Sequence, residues 1–304
     1  MKNLRKLLAP LSIVLLSVIV FTSCKKDDPV VVTPPKDVTA VAIGDAQFST
    51  LVAALTKADL VKTLQTAGPF TVFAPNNDAF TKAKITSLDG LSKEALNPIL
   101  LYHVLGAKVL AGDIKTGQTE VGTAGGPKMY ITNNANGVFI NGGTKVIKTN
   151  VDASNGVIHV LDNVLTDIPS KTIAGIVSDN KDFSTLLTLV KAAGLVDALS
   201  SPTIGYTVFA PTNKAFEGVD ASKLTVAQIK QILLYHVVPS RVFSPELANG
   251  EVTMADDNKG KVTIDLTNGA TVKGKSNTVA SKITAANIMA TNGVIHVIDR
   301  VLLP

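Results

Sequence analysis

Apolar positions along this chain alternate between a helical and a strand period, and the order of those periods occurs twice. Phe48, Leu51, Val52 and Leu55 stand at i, i+3, i+4 and i+7, the stripe of an amphipathic helix. Phe183, Leu186, Leu187 and Val190 repeat the spacing, and each stripe is followed by a short turn, through Leu60, Val61 and Leu64 or through Leu195, Val196 and Leu199. The period then shortens to that of a strand at residues 71–73 and 207–209. Pro75 and Pro211 end these strands by removing a ladder donor. Asn76, Asn77 and Asp78, and in the second copy Thr212 and Asn213, read as turn and helix-cap residues. Phe80 and Phe216 open another buried face.

A third helical pattern reads LSKEALNPILLYHVL at 91–105 and LTVAQIKQILLYHVV at 224–238. Thr225 and Gln228 have capping-box spacing, and Val226, Ile229, Ile232, Leu233 and His236 share a face. Pro98 stands where the second copy has Gln231. A missing donor and a clash with the preceding turn predict that the first helix starts later or kinks. After each Tyr-His the texture becomes β. Short runs such as 129–131, 138–140, 146–147, 262–264, 270–272 and 282–283 are punctuated by Asn136-Gly137, Asn141-Gly142 and Asn268-Gly269, which signal tight turns.

Each copy closes on the same stretch. Residues 155–165 read NGVIHVLDNVL and 292–302 read NGVIHVIDRVL, identical at nine of eleven positions. The Asn-Gly makes a turn, and the unbroken apolar run after it predicts a strand buried on both faces. Matched residues lie 133 to 137 apart. This is a duplication, with a boundary near Pro169-Ser170, and two copies are too few for a solenoid. The expected architecture is α+β: two domains in series, at 39–168 and 169–304.

Composition narrows the function. With 5% aromatic residues and no Trp, the cores are aliphatic. The formal charge of +5 includes Lys2, Arg5 and Lys6, which precede any acid; without them the chain has 26 basic against 24 acidic residues. No dense basic run with interleaved aromatics remains, which excludes nucleic acid as the expected partner.

The first 23 residues read as a targeting segment. A basic start is followed by an apolar stretch at 7–21, short for a membrane span and suited to a secretory signal. Cys24 is the sole cysteine, and it follows the small residues Thr22 and Ser23. That position resembles a bacterial lipoprotein signal, which implies cleavage before Cys24 and diacylglycerol on its sulfur. Lys25-Lys26-Asp27-Asp28 is similar to the surface-export signal of Bacteroidetes lipoproteins. Pro29, Pro34 and Pro35 then give a semi-rigid spacer, so 24–38 is read as a tether. The expected location is the outer membrane or cell surface, with a periplasm-facing orientation as the alternative.

The run FSTL, TVFAPTNKAF, ILLYHVV and NGVIHVIDRVL, in that order within one repeat, resembles the fasciclin (FAS1) domain. Both repeats carry TVFAP, Tyr-His and NGVIHV. The resemblance implies a wedge or sandwich of short strands with packed helices, and a non-enzymatic adhesion module whose partner is an extracellular protein, matrix or glycan. It also carries a link to receptor adhesion onto Tyr102, His103, Tyr235 and His236. Helical spacing instead puts His236 on an apolar stripe, where Tyr and His stitch helix to sheet. An alternative function is ligand capture, of a polysaccharide or small apolar molecule, for an uptake system.

Catalysis and metal binding have little to stand on. The four histidines, His103, His159, His236 and His296, form two matched pairs across the repeats, 56 to 60 residues apart within a repeat. No nucleophile elbow, phosphate loop or HExxH occurs, so no catalytic residue, metal ligand or cofactor is assigned. His159 and His296, between isoleucine and valine, are expected to be buried and bonded to backbone. Asp162 and Asp299 are expected to act as turn or cap acceptors.

Overall fold

The computed structural model describes residues 35–202 and 205–304. The signal segment, Cys24 and the tether as far as residue 34 lie outside the described residues.

Helices α1 (Val38–Ile43), α2 (Ser49–Lys57) and α3 (Val61–Leu64) precede strand β1 (Phe70–Pro75). Helices α4 (Asn77–Lys82) and α5 (Lys93–Tyr102) follow, and then strands β2 (Val104–Leu105), β3 (Gly117–Gly122), β4 (Lys128–Asn134), β5 (Gly137–Ile140), β6 (Thr144–Ala153) and β7 (Gly156–Leu161). The second half repeats the plan with α6 (Ile173–Asp179), α7 (Ser184–Ala192), α8 (Val196–Ser200), β8 (Tyr206–Pro211) and α9 (Val226–Leu234). Strands β9 (Val237–Val238), β10 (Gly250–Thr253), β11 (Lys261–Asp265), β12 (Thr271–Gly274), β13 (Ser281–Ala290) and β14 (Gly293–Ile298) complete it.

Each half makes one mixed seven-stranded sheet, ordered β2-β1-β7-β6-β5-β4-β3 and β9-β8-β14-β13-β12-β11-β10. The NGVIHV strand runs parallel beside the TVFAP strand, with Val72 opposite Ile158 and Val208 opposite Ile295. All six residues of β7 and of β14 are buried, as an apolar run without alternation demands. Ile158 and Val160 enter a core with Leu51, Leu55 and Leu100 of the helices. On the opposite face Leu161 joins Phe73, Met129, Ile131 and Ile140. Ile295 and Val297 repeat the helix-side core, and Ile298 the other. Each such buried aliphatic side chain contributes roughly 1.5–3 kcal/mol. The long strands β6 and β13 slip register twice against β7 and β14, and the sheet bends there.

Local signals are borne out in part. Thr225 and Gln228 do form a capping box, and Asn76 caps α4 by accepting from the Ala79 amide at 2.8 Å. Asn141-Gly142 makes its turn with both residues at positive φ, 50° and 68°. Four expectations change. Helix α5 starts at a Ser92 cap, level with the Thr225 cap of α9, and carries Pro98 inside it. Proline removes one bond, and Pro98 faces solvent, so the helix continues through it. Val226 is 58% exposed because it opens the first turn, beyond the cover of the sheet. Asn77 and Asn213 do not cap the turns they open. They reach across to accept from the Thr50 and Thr185 amides at 3.1 and 2.9 Å, capping α2 and α7. Val38 already belongs to α1, capped by Asp37, so the tether ends sooner than 38.

Candidate functional site

The Tyr-His pairs sit at the ends of α5 and α9. His103 Nδ1 lies 2.8 Å from the Ile99 carbonyl, and the Leu165 amide donates to Nε2 at 2.9 Å. A carbonyl only accepts and an amide only donates, so the ring is neutral with its proton on Nδ1. His236 repeats this with Ile232 at 2.7 Å and Leu302 at 2.9 Å. Burial holds both rings down at about 4, against partial relief from the bonded carbonyls. Tyr102 donates to the Lys128 carbonyl at 2.9 Å and accepts from Asn141 Nδ2 at 2.8 Å. Burial pushes its hydroxyl up to about 12, against the Asn141 bond. Tyr235 donates to the Lys261 carbonyl and accepts from the Lys275 amide at 3.0 Å.

All four side chains are 0–2% exposed, and each pair stays within its own domain. Tyrosine ties the helix end to β4 or β11, and histidine ties it to the chain that leaves β7 or β14.

The second histidine pair has the opposite tautomer. His159 Nε2 faces the Val109 carbonyl at 2.9 Å, and Nδ1 accepts from the Asn150 amide at 3.3 Å. His296 does the same with Val242 at 2.9 Å and Asn287 at 3.3 Å. Asn150 and Asn287 have φ of 57° and 63° and lie at the register slips of β6 and β13. The histidine therefore satisfies an amide that the bulge takes out of the ladder. Burial lowers both rings. Asp162 and Asp299 accept from the Lys145 and Lys282 amides at 2.7 Å, at strand ends rather than turns. Among the described residues, no group of three or more His, Cys, Asp or Glu is placed to hold a metal ion.

These bonds frame one loop in each domain. Thr71 accepts from the Val109 amide at 2.8 Å, and Thr207 from the Val242 amide at 2.8 Å. The side chains that the loops present differ. Lys108 pairs with Asp152 at the surface at 2.9 Å, and Leu110 is 39% exposed. Arg241 and Phe243, at the matching places, lie between the two domains. Phe243 is fully buried with Tyr130, Met289 and Val294. It lies against Gly142, where a Cβ would come within 2.5 Å of it. The Arg241 guanidinium lies 4.1 Å above the Tyr130 ring and donates to the Ala290 and Gly293 carbonyls. Burial lowers its pKa. Gln118 donates to the Arg241 carbonyl at 3.2 Å and to Glu246 at 2.9 Å, Asn134 to the Pro245 carbonyl at 2.7 Å, and Asn287 to the Gly142 carbonyl at 3.0 Å.

Beside this junction is a cleft of about 680 Å³ with walls from both domains. Gln118, Glu120, Lys128 and Tyr130 of the first domain and Arg241 of the second line it. Glu120 bonds both Lys128 and Tyr130, and the Lys128 bond leads in lowering its pKa. Sequence reasoning found none of these residues. The available signal was the divergence of Arg241-Val242-Phe243 from Lys108-Val109-Leu110 within an otherwise matched frame.

A fasciclin domain model matches residues 46–167 and again 181–304. Protein sll1483 of Synechocystis sp. is 45% identical over 129 residues, 41% of this chain and 70% of that protein. Human periostin is 29% identical over 263 residues, 84% of this chain and 30% of periostin. The transforming growth factor-beta-induced protein ig-h3 of Sus scrofa is 29% identical over 252 residues, 78% of this chain and 35% of that protein. The chain thus spans about a third of the length of these two animal proteins. Among solved structures, a FAS1 domain pair from the insect cell adhesion molecule Fasciclin I matches with a TM-score of 0.43 and 18% identity, over 85% of this chain and 97% of that one.

Proposed function

The chain belongs to the fasciclin domain family, and on that premise we propose that it is a non-enzymatic adhesion module tethered by lipid on Cys24. The tether holds it at the outer membrane or cell surface, and the partner is an extracellular protein. The observation that carries this reading is the junction cleft. It lies between two domains, and polar side chains from both line it. The motif residues support the same reading from the other side. Their donors and acceptors are spent within the core, so the exposed charged groups at the cleft rim, Lys128 and Glu120, are better placed to meet a partner.

The test is binding of cells that display the full chain to a panel of immobilised extracellular proteins. Lys128→Glu reverses one charge at the cleft rim, where Lys128 is well exposed. It is expected to lower adhesion at least tenfold with little change in melting temperature. Adhesion unchanged by this substitution places the contact elsewhere. Cys24→Ser is expected to release the chain from the membrane, and protease applied to intact cells is expected to remove it. Resistance of the displayed chain to protease contradicts surface exposure.

A further inference from the structure

We propose that the second domain contains a binding site, separate from the junction, for the end of an unbranched alkyl chain. The site is a cavity of about 60 Å³ between α7, α8 and β8. Leu186, Val190, Leu195, Leu199 and Val208 line it, together with the ring of His236. Both nitrogens of that ring are already bonded, to the Ile232 carbonyl and the Leu302 amide. The walls therefore offer water almost nothing to bond, and a cavity of this kind stays dry and takes apolar ligands. Its volume is several times the ~10–15 Å³ that one water-sized probe needs, room for the last carbons of a chain.

The first domain shows why the space exists. Leu55 stands where the second domain has Val190, and Leu64 where it has Leu199. Leu55 and Leu64 are 6% and 3% exposed, so they fill the matching region. Val190 is one carbon shorter. Helix α8 contributes no fully buried residue, whereas α3 buries Leu64, and Leu199 is only partly covered. Ala198 both lines the cavity and is exposed, so the space opens to solvent beside α8. An amphiphile fits this shape, with its last carbons inside and its polar end outside past Ala198. The adhesion reading does not depend on this site.

The test uses the isotope-labelled full chain and 1-hexanol, followed by amide NMR. Saturable shifts are expected at Val190, Ala198 and Leu199 and not at Leu55 or Leu64. Val190→Leu, which restores the first domain's residue, is expected to weaken binding at least tenfold and to raise the melting temperature. Ala198→Phe changes an exposed residue and blocks the opening, so it tests the route even where Val190→Leu perturbs the core. Hexanol shifts that survive both substitutions, or that are equal in the two domains, overturn the proposal. So does a cavity that takes xenon under pressure but no hexanol.

Discussion

Residues 106–113 and 239–246 are the same piece of chain used twice, once facing solvent and once facing the other domain. Their backbones are held alike. A threonine hydroxyl receives the central valine amide, a histidine reaches the valine carbonyl, and an acid three residues on accepts from the next amide. Of the eight positions only the valine is shared, and the largest change is in the two side chains that flank it. Lysine and leucine leave the first copy open, with Leu110 39% exposed. Arginine and phenylalanine close the second on Tyr130 and Gly142. The shared threonine, valine and histidine build the bracket, and the residues that differ, Arg241 and Phe243 together with Pro245 and Glu246, make it an interface.

The strongest way to break this comparison is Phe243→Ala. Truncating a buried phenylalanine costs about 3–5 kcal/mol, whereas Leu110→Ala on the open copy is expected to change stability by about 0.5 kcal/mol or less. Calorimetry is expected to show one unfolding transition for the native chain and for Leu110→Ala, and two for Phe243→Ala. Gly142→Ala attacks the same contact from the first domain, since it adds a Cβ against Phe243 at a φ of 68°. It is expected to reproduce the split. One unchanged transition in both variants would show that the domains are coupled through other contacts.

Acid tests what the copies share. His103 and His236 have folded values of about 4 against 6.5 when unfolded, both because of burial. Between those values the unfolded chain binds the extra protons. Stability is therefore complete above about pH 6.5 and falls as pH drops toward 4. At pH 5 the loss is about 2 kcal/mol per ring. Denaturant titrations at pH 7 and pH 5 check it, and His103→Gln and His236→Gln should each remove a similar part of the slope. A flat profile would mean that the rings are protonated, or solvated, in the folded chain.

Arg241→Lys sharpens the contrast at the junction itself. The planar guanidinium over Tyr130 is replaced by a point charge, with an expected cost of about 1 kcal/mol. Lys108→Arg on the open loop is expected to move the denaturation midpoint negligibly. Equal effects would remove the stack as the reason for arginine.

The core was legible because periodicity reports burial directly. The stripes at Leu51 and Leu186, the doubly buried NGVIHV strands and the Asn141-Gly142 turn follow from spacing and backbone chemistry alone. The seven-stranded order was not, because it depends on pairings far apart in the chain. Asn77 and Asn213 look like local caps and serve distant helices for the same reason. Tyr102, His103, Tyr235 and His236 were candidates for contact only through the family resemblance, while helical spacing already put His236 on an apolar stripe. Their partners, Lys128, Asn141, Leu165 and Leu302, lie 26 to 66 residues away and only folding brings them near. The junction was invisible because sequence shows that Leu110 and Phe243 differ, not which of them meets a neighbour.

The smallest expected effect concerns a groove rather than a core. In the first domain Lys82 bridges to Asp162 at 2.8 Å. The matching positions in the second are Gly218 and Asp299, which line an open groove of about 840 Å³ beside the exposed Val279. A side chain at Gly218 meets nothing within 4 Å and needs no positive φ, so Gly218→Lys is sterically free. It is expected to pair with Asp299 and make the second groove like the first. Exposed pairs of this kind contribute about 0–1 kcal/mol and are screened by salt. Lys82→Ala should therefore lower, and Gly218→Lys raise, the melting temperature by a degree or two in dilute buffer, and both differences should fade in 1 M salt. Shifts that persist at high salt would show that Lys82 acts through its packed carbon stem, and that the groove in the second domain is open for want of bulk rather than charge.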